Sequence, residues 1–161
     1  GEEIRSLFRK LRERIPGLVL RTSLITGLPG EGEAEFEELC DFLREAKIER
    51  AGVFPYSPEE GTPAALMPDR CSTEEAQRRA ELCMEIQSEI MDGFAETFIG
   101  RELDVLVMGR EPDGTPWGRS EYDSPDIDSR VIFSGDAAPG DLVRVRITSV
   151  DDGELIGEQT E

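Results

Sequence analysis

The residues with the clearest chemical character share one side of an extended stretch. They are Arg21, Ser23, Ile25 and Gly27, and the turn Gly27-Leu28-Pro29-Gly30-Glu31 follows directly. Alternate residues of a strand share a face, so Val19 opens this side and Leu20, Thr22, Leu24 and Thr26 form the other. The second face suits packing under helices. The first sets a charge, a hydroxyl and a glycine where most strands bury bulk, which suits a ligand held beyond the strand's carboxyl end. The thiols point elsewhere. Cys40, Cys71 and Cys83 are irregularly spaced and the chain has no histidine, so no zinc site is expected. Cys40 and Cys83 fall at apolar helix positions and read as buried free thiols. Asp123, Asp126 and Asp128 crowd one short segment but lack the glycine and distal glutamate of a calcium loop. They read as partner-facing charge or a solvated loop.

The elements that must position these groups follow from periodicity. Ile4, Leu7, Phe8, Leu11 and Ile15 predict an amphipathic helix over 2–15, which Pro16-Gly17 ends. A strand over 18–26 follows, then a helix over 33–46 with Phe36, Leu39, Cys40, Leu43 and Ala46 on one face. Glu31, Glu33 and Glu35 favour that helix start through the helix dipole. A short strand is expected over 50–56. Helix, strand, helix, strand with short connections is the pattern of parallel βα units. Residues 57–73 hold Pro58, Gly61, Pro63 and Pro68 and predict an extended loop without regular structure. Ser72 or Thr73 caps a long third helix reaching Phe98, with Ala76, Ala80, Cys83, Ile86, Ile90 and Phe94 on its stripe. From Gly100 the period falls to two. Leu103, Val105 and Val107 alternate, as do Val143, Val145 and Ile147, and the turns Pro112-Asp113-Gly114, Pro139-Gly140-Asp141 and Asp151-Asp152-Gly153 intervene. About five short strands predict a small closed barrel of OB-like size. Trp117 and Tyr122 form either an aromatic surface contact or part of its core.

The chain carries 36 acids against 18 bases over 161 residues, a net charge of −18. That weighs against electrostatic binding of nucleic acid and fits a basic partner or simply an acidic proteome. No apolar run approaches the roughly 18 residues that span a bilayer. No signal peptide is visible, so a cytoplasmic location is expected, with no membrane partner. The start at Gly1-Glu2-Glu3-Ile4, without Met, predicts a piece of a longer protein.

Both halves resemble one family. The run Ile25-Thr26-Gly27-Leu28-Pro29-Gly30-Glu31 is similar to the late barrel strand of radical S-adenosylmethionine (SAM) enzymes. The run from Val53 to Ala65, which includes Tyr56-Ser57-Pro58-Glu59-Glu60-Gly61-Thr62-Pro63, resembles their methylthiotransferase subgroup. Gly100-Arg101 before Leu103-Asp104-Val105-Leu106-Val107, and Pro139-Gly140-Asp141 before Leu142-Val143-Arg144-Val145, resemble the strands of a TRAM barrel. The resemblance implies an α+β chain. Residues 1–71 are the last βα units of a radical SAM partial TIM barrel, 72–98 a linker helix and 99–161 a five-stranded antiparallel OB-like TRAM barrel. It implies SAM and two 4Fe-4S clusters in the parent enzyme, with the cluster cysteines outside this chain, so that the chain alone is inactive. It implies that Ile25 packs on adenine, that Gly27 allows close approach, and that the backbone of Val53, Phe54 and Pro55 borders the same ring. The family prefers glycine where Ser23 stands. Arg21 is either a contact for the SAM carboxylate or ribose or part of an ion pair inside the barrel. A truncated barrel exposes strand edges, which invites dimerisation.

The family has two main branches, one acting on tRNA and one on a ribosomal protein. Glu59-Glu60 stands where the tRNA branch usually carries basic residues, and Tyr122-Asp123-Ser124-Pro125-Asp126-Ile127-Asp128 resembles an acidic segment of the ribosomal-protein branch. Residues 100–161 hold fifteen acids against six bases. An RNA-gripping barrel is expected to be basic. An acidic one suits a basic small-subunit ribosomal protein, with Glu59, Glu60, Asp123, Asp126 and Asp128 as docking residues. The competing expectations are a tRNA-modifying enzyme with an RNA-binding barrel, and a non-catalytic adaptor. A contiguous positive face from Arg101, Arg110, Arg119, Arg144 and Arg146 would favour the tRNA branch.

Overall fold

A computed structural model describes residues 1–160. The chain divides into two compact units, residues 1–90 and 91–161, the division falling within the long helix.

The first unit runs α1 (Glu2–Arg14), β1 (Arg21–Thr26), α2 (Glu33–Ala46), β2 (Arg50–Pro55), α3 (Pro63–Leu66) and the greater part of α4 (Thr73–Glu96). β1 and β2 pair in parallel, with Arg21 opposite Arg50 and Thr26 opposite Pro55. One face of this pair is packed. Leu20, Ala51 and Val53 meet Phe36, Cys40 and Leu43 of α2 and Ala80 and Cys83 of α4. Gln87, fully buried on the same stripe of α4, donates from Nε2 to the Ile48 carbonyl at 2.8 Å. Arg12 of α1 closes the end of α2 by donating to the Ala46 and Lys47 carbonyls at 2.6 and 2.8 Å.

Two expectations change in this unit. The first strand starts at Arg21 rather than at residue 18. The loop after β2 is not wholly irregular, because α3 forms one turn within it. Thr62 supplies the cause. Its hydroxyl accepts from the Ala65 amide at 3.3 Å, and Pro63 occupies the first helical position, where its missing N–H costs nothing. Ser72 caps α4 as expected, accepting from the Glu75 amide at 3.1 Å.

The second unit is a closed barrel of β3 (Glu102–Arg110), β4 (Pro116–Arg119), β5 (Val131–Ser134), β6 (Leu142–Asp151) and β7 (Glu154–Gln159), in the order β3-β4-β5-β7-β6. Leu103, Val105, Val107, Val131, Phe133, Val145, Ile147 and Leu155 fill it, joined by Ala95 and Phe98. The barrel is not purely antiparallel as expected: β5 runs parallel to β7. β6 and β7 form an antiparallel hairpin, and β6 closes against β3, so β7 rather than β6 is left to meet β5. The register shifts between Ile147 and Ser149 of β6, a bulge that bends a long strand around a small barrel. Gly118 and Gly157 sit at strand crossings where a Cβ would lie 2.3 Å from the Leu106 carbonyl oxygen and 2.6 Å from that of Arg146. Among the described residues no helix is long and apolar enough to cross a membrane.

Candidate functional site

The face of β1 and β2 turned away from the helices carries the first candidate site. Ile25 and Phe54 are register partners and share it, 48 % and 56 % exposed. Arg21 and Ser23 lie exposed on the same face, and Gly52 pairs with Ser23. The Phe54 ring leans over Gly52, where a Cβ would come within 3.1 Å of it. The result is an apolar shelf with a low floor at Ser23 and Gly52. It suits a flat heteroaromatic ring, which would cover Ile25 and Phe54 and gain from their removal from water. Val53 points to the opposite face and is buried in the core, so only its backbone borders the shelf. Pro55 is half-buried at the end of β2.

The turn after β1 closes one end of the shelf. Gly27 has φ +77° and Gly30 φ +84°, conformations that favour glycine. Gly27 is also crowded: a Cβ would lie 2.4 Å from the Ala76 Cβ of α4. Buried Thr26 donates from Oγ1 to the Ala76 carbonyl at 3.0 Å. Glu31 folds back, and its Oε1 accepts the Gly27 amide at 2.8 Å. The same oxygen meets Arg79 of α4 at 2.9 Å. Burial opposes the Arg79 charge, but the carboxylates of Glu31 and Glu75 outweigh it and hold the guanidinium above its ordinary pKa. Glu75 is held down to about 2, first by Arg78 and then by Arg79. Of the three glutamates expected at the start of α2, Glu35 acts there, accepting the Gly32 amide at 2.9 Å, whereas Glu31 serves the turn.

Sequence reasoning missed Arg79. The signal was present, since Arg79 lies three residues after Ala76 and four before Cys83 on the buried stripe of α4. A charge on such a stripe needs a partner there.

The cysteines stand as expected in one respect: Cys40 and Cys83 are free and buried. Their sulfurs lie 4.0 Å apart. Burial, and then Cys40, push the Cys83 thiol up to about 12. Cys71 is half-buried and donates to the Gly27 carbonyl at 3.8 Å. Among the described residues no three His, Cys, Asp or Glu side chains gather as a metal site.

The acidic residues do not act alike. Glu59 and Glu60 are exposed just beyond β2. Within the barrel unit, Asp123 accepts from the Ser120 amide and hydroxyl at 3.0 and 2.7 Å, and Asp128 from the Ser124 amide at 2.6 Å. These two carboxylates shape their own loop. Asp126 is exposed with φ +62°, beside Ile127 at 74 % exposure. Tyr122 packs against Phe98, ring centroids 5.0 Å apart, whereas Trp117 lies elsewhere, under Arg130.

Five barrel arginines each have a partner within the barrel unit. Arg144 pairs with Asp104 at 3.5 Å and Arg146 with Glu102 at 2.7 Å, each across β3 and β6. Arg119 donates to the Ser124 and Asp128 carbonyls, and Arg110 to those of Gly114 and Ala137. Arg101 stacks on Phe98 and Tyr122.

A parallel βα unit with an apolar shelf at its strand ends, followed by a small closed barrel, defines a TRAM-domain protein with an α/β partner. The TRAM domain family matches residues 99–159. Over 161 residues the chain is 47 % identical to a ribosomal protein uS12 methylthiotransferase RimO from Symbiobacterium thermophilum, covering 96 % of this chain and 33 % of the relative. The RimO of Desulforudis audaxviator is 47 % identical, covering 91 % and 33 %, and that of Heliobacterium modesticaldum 43 %, covering 98 % and 34 %. Over nearly its whole length the chain is similar to these RimO-type methylthiotransferases. It spans about a third of the length of these relatives.

Proposed function

We propose that the chain serves a radical SAM methylthiotransferase that modifies the β-carbon of an aspartate in ribosomal protein uS12. On this reading the shelf of Ile25 and Phe54 holds the adenine of SAM. Gly27 and the backbone of Val53, Phe54 and Pro55 border it, and Arg21 and Ser23 face the ribose or carboxylate. The shelf fits such a ring in shape and polarity. The cofactor supplies the hydrogen-abstracting species and the methyl group. This chain's residues bind and orient it and keep water from one side. The cysteines do not fit an iron–sulfur cluster, since two face each other in the core and the third lies against Gly27. The reading therefore assigns both clusters to other residues of the parent.

The observation that carries the choice of substrate is the charge of the barrel. Residues 100–161 hold fifteen acids against six bases. The arginines that would have to grip phosphate are engaged by carboxylates, carbonyls and aromatic rings of the barrel itself. Such a surface attracts a basic protein and repels RNA. The exposed carboxylates Glu59, Glu60 and Asp126 face the partner, and Asp123 and Asp128 hold the loop that presents Asp126 and Ile127.

The test is binding of uS12 and of tRNA to the chain by titration calorimetry at low and high salt. The reading expects uS12 to bind with affinity that falls as salt rises, and tRNA not to bind near physiological salt. Equal uS12 affinity at both salts, or none, refutes the docking role. tRNA binding at physiological salt would favour the tRNA-modifying branch.

A further inference from the structure

One guanidinium ties together the two ends of the segment from Gly27 to Gly32. Arg79 is 5 % exposed. Its Nη1 meets Glu31 Oε1 at 2.9 Å and also donates to the carbonyls of Glu31 and Gly32, at 3.2 and 3.3 Å. Its Nε meets Glu75 Oε1 at 2.9 Å, and its Nη2 reaches Glu33 Oε2 at 3.3 Å. The Phe36 ring lies 5.1 Å from the guanidinium carbon. Glu31 Oε1 also accepts the Gly27 amide at 2.8 Å. Guanidinium, carboxylate and turn amide thus form one chain from the second turn of α4 to the first residue beyond β1.

A buried ion cluster is a poor way to gain stability, because desolvation consumes most of the attraction and apolar replacements often serve as well. Its value lies in selecting one conformation. The turn needs such selection. Gly27 and Gly30 both adopt positive φ, and glycine leaves many other conformations open to the backbone. We propose that Arg79 is a positioning residue for the cofactor turn, acting through Glu31 to hold the Gly27 amide and so the edge of the Ile25–Phe54 shelf. This inference rests on the reading of the shelf as the SAM adenine site. When the turn is loose, only a fraction of molecules presents the shelf correctly, and the apparent dissociation constant rises by the inverse of that fraction. Once SAM is bound the turn is held, so the chemical step changes little.

The experiment compares Arg79→Met, Arg79→Lys, Glu31→Gln and the Arg79→Met/Glu31→Gln double variant in the full-length protein that carries this chain. Equilibrium SAM binding, KM for SAM against kcat, and hydrogen exchange at the Gly27 amide are measured. Arg79→Met and Glu31→Gln are each expected to weaken SAM binding about tenfold or more, with kcat within about threefold and faster Gly27 exchange. The double variant should be no worse than either single variant, because both break one chain. Arg79→Lys should fall between wild type and Arg79→Met. Arg79→Met binding SAM as tightly as a wild type that binds it well, or additive losses in the double variant, would overturn the proposal. If wild type does not bind SAM at all, the cofactor reading fails, and Gly27 exchange alone decides the role of Arg79: unchanged exchange in Arg79→Met overturns it. If Arg79→Met does not fold, Glu31→Gln decides by the same measurements.

Discussion

Replacing Gly27 with alanine should cost the first unit far more stability than the same change at Gly30, although both glycines sit in the same turn with nearly the same φ. Their φ angles are +77° and +84°, so alanine at either pays the left-handed penalty of about 1–2 kcal/mol. The surroundings differ. At Gly30 a Cβ would meet nothing within 4 Å. At Gly27 it would lie 2.4 Å from the Ala76 Cβ, 3.0 Å from the Ala76 Cα and 3.0 Å from the Cys71 sulfur. The first two belong to α4, which cannot retreat without stretching the Thr26–Ala76 and Glu31–Arg79 hydrogen bonds. Overpacking of this kind costs about 1–3 kcal/mol, for a total near 2–5 kcal/mol. Urea denaturation followed by far-ultraviolet circular dichroism reads the loss, since the helices lie mainly in this unit. Trp117, the chain's single tryptophan, reports the barrel by fluorescence in the same samples. A third variant, Ala76→Gly in the Gly27→Ala background, removes the opposing methyl and should recover part of the loss despite about 1 kcal/mol of glycine penalty within the helix. Equal losses for Gly27→Ala and Gly30→Ala, to within about 0.5 kcal/mol, would refute the argument that contact with α4 makes Gly27 obligatory.

Thiol reagents applied to the native chain should modify Cys71 and spare Cys40 and Cys83 until the first unit unfolds; rapid loss of all three thiols would contradict their burial. Stability should also depend on pH at both ends. The Cys83 thiol is raised from 9.0 to about 12, so its contribution is complete below pH 9 and is lost as pH climbs towards 12. Glu75 is lowered from 4.5 to about 2, so its contribution is present above pH 4.5 and is lost as pH falls towards 2. Melting curves between those limits check both, and Glu75→Gln should flatten the acid limb. Ser72→Ala removes the cap of α4 and should cost about 1 kcal/mol by urea denaturation. Gly157→Ala should lower the Trp117 fluorescence midpoint by about 1–3 kcal/mol equivalent, because its Cβ would press on the Arg146 carbonyl.

The amino-acid sequence by itself determined the long elements and their faces, but not the single turn of α3. Period and punctuation are local, so Phe36, Cys40 and Leu43 on one helix side, and Leu103, Val105 and Val107 on one strand side, were legible before any packing was known. The turn glycines and the Ser72 cap were legible for the same reason, since each reports its own backbone. The shelf was half legible: alternation put Arg21, Ser23 and Ile25 on one face, but only the parallel register set Phe54 beside Ile25. Tertiary structure alone decided the rest. The parallel pairing of β5 and β7 depends on which edges remain once β6 has closed on β3, a choice made across the whole barrel. The duties of Glu31 and Arg79 depend on two groups 48 residues apart meeting where water is scarce. Alternation and charge left Asp123 and Asp128 as partner-facing charge or a solvated loop, and only the folded loop brings the Ser120 and Ser124 amides within their reach. A side chain's charge is written in the sequence. Its partner, and so its work, is set by what the fold brings within about 3 Å of it.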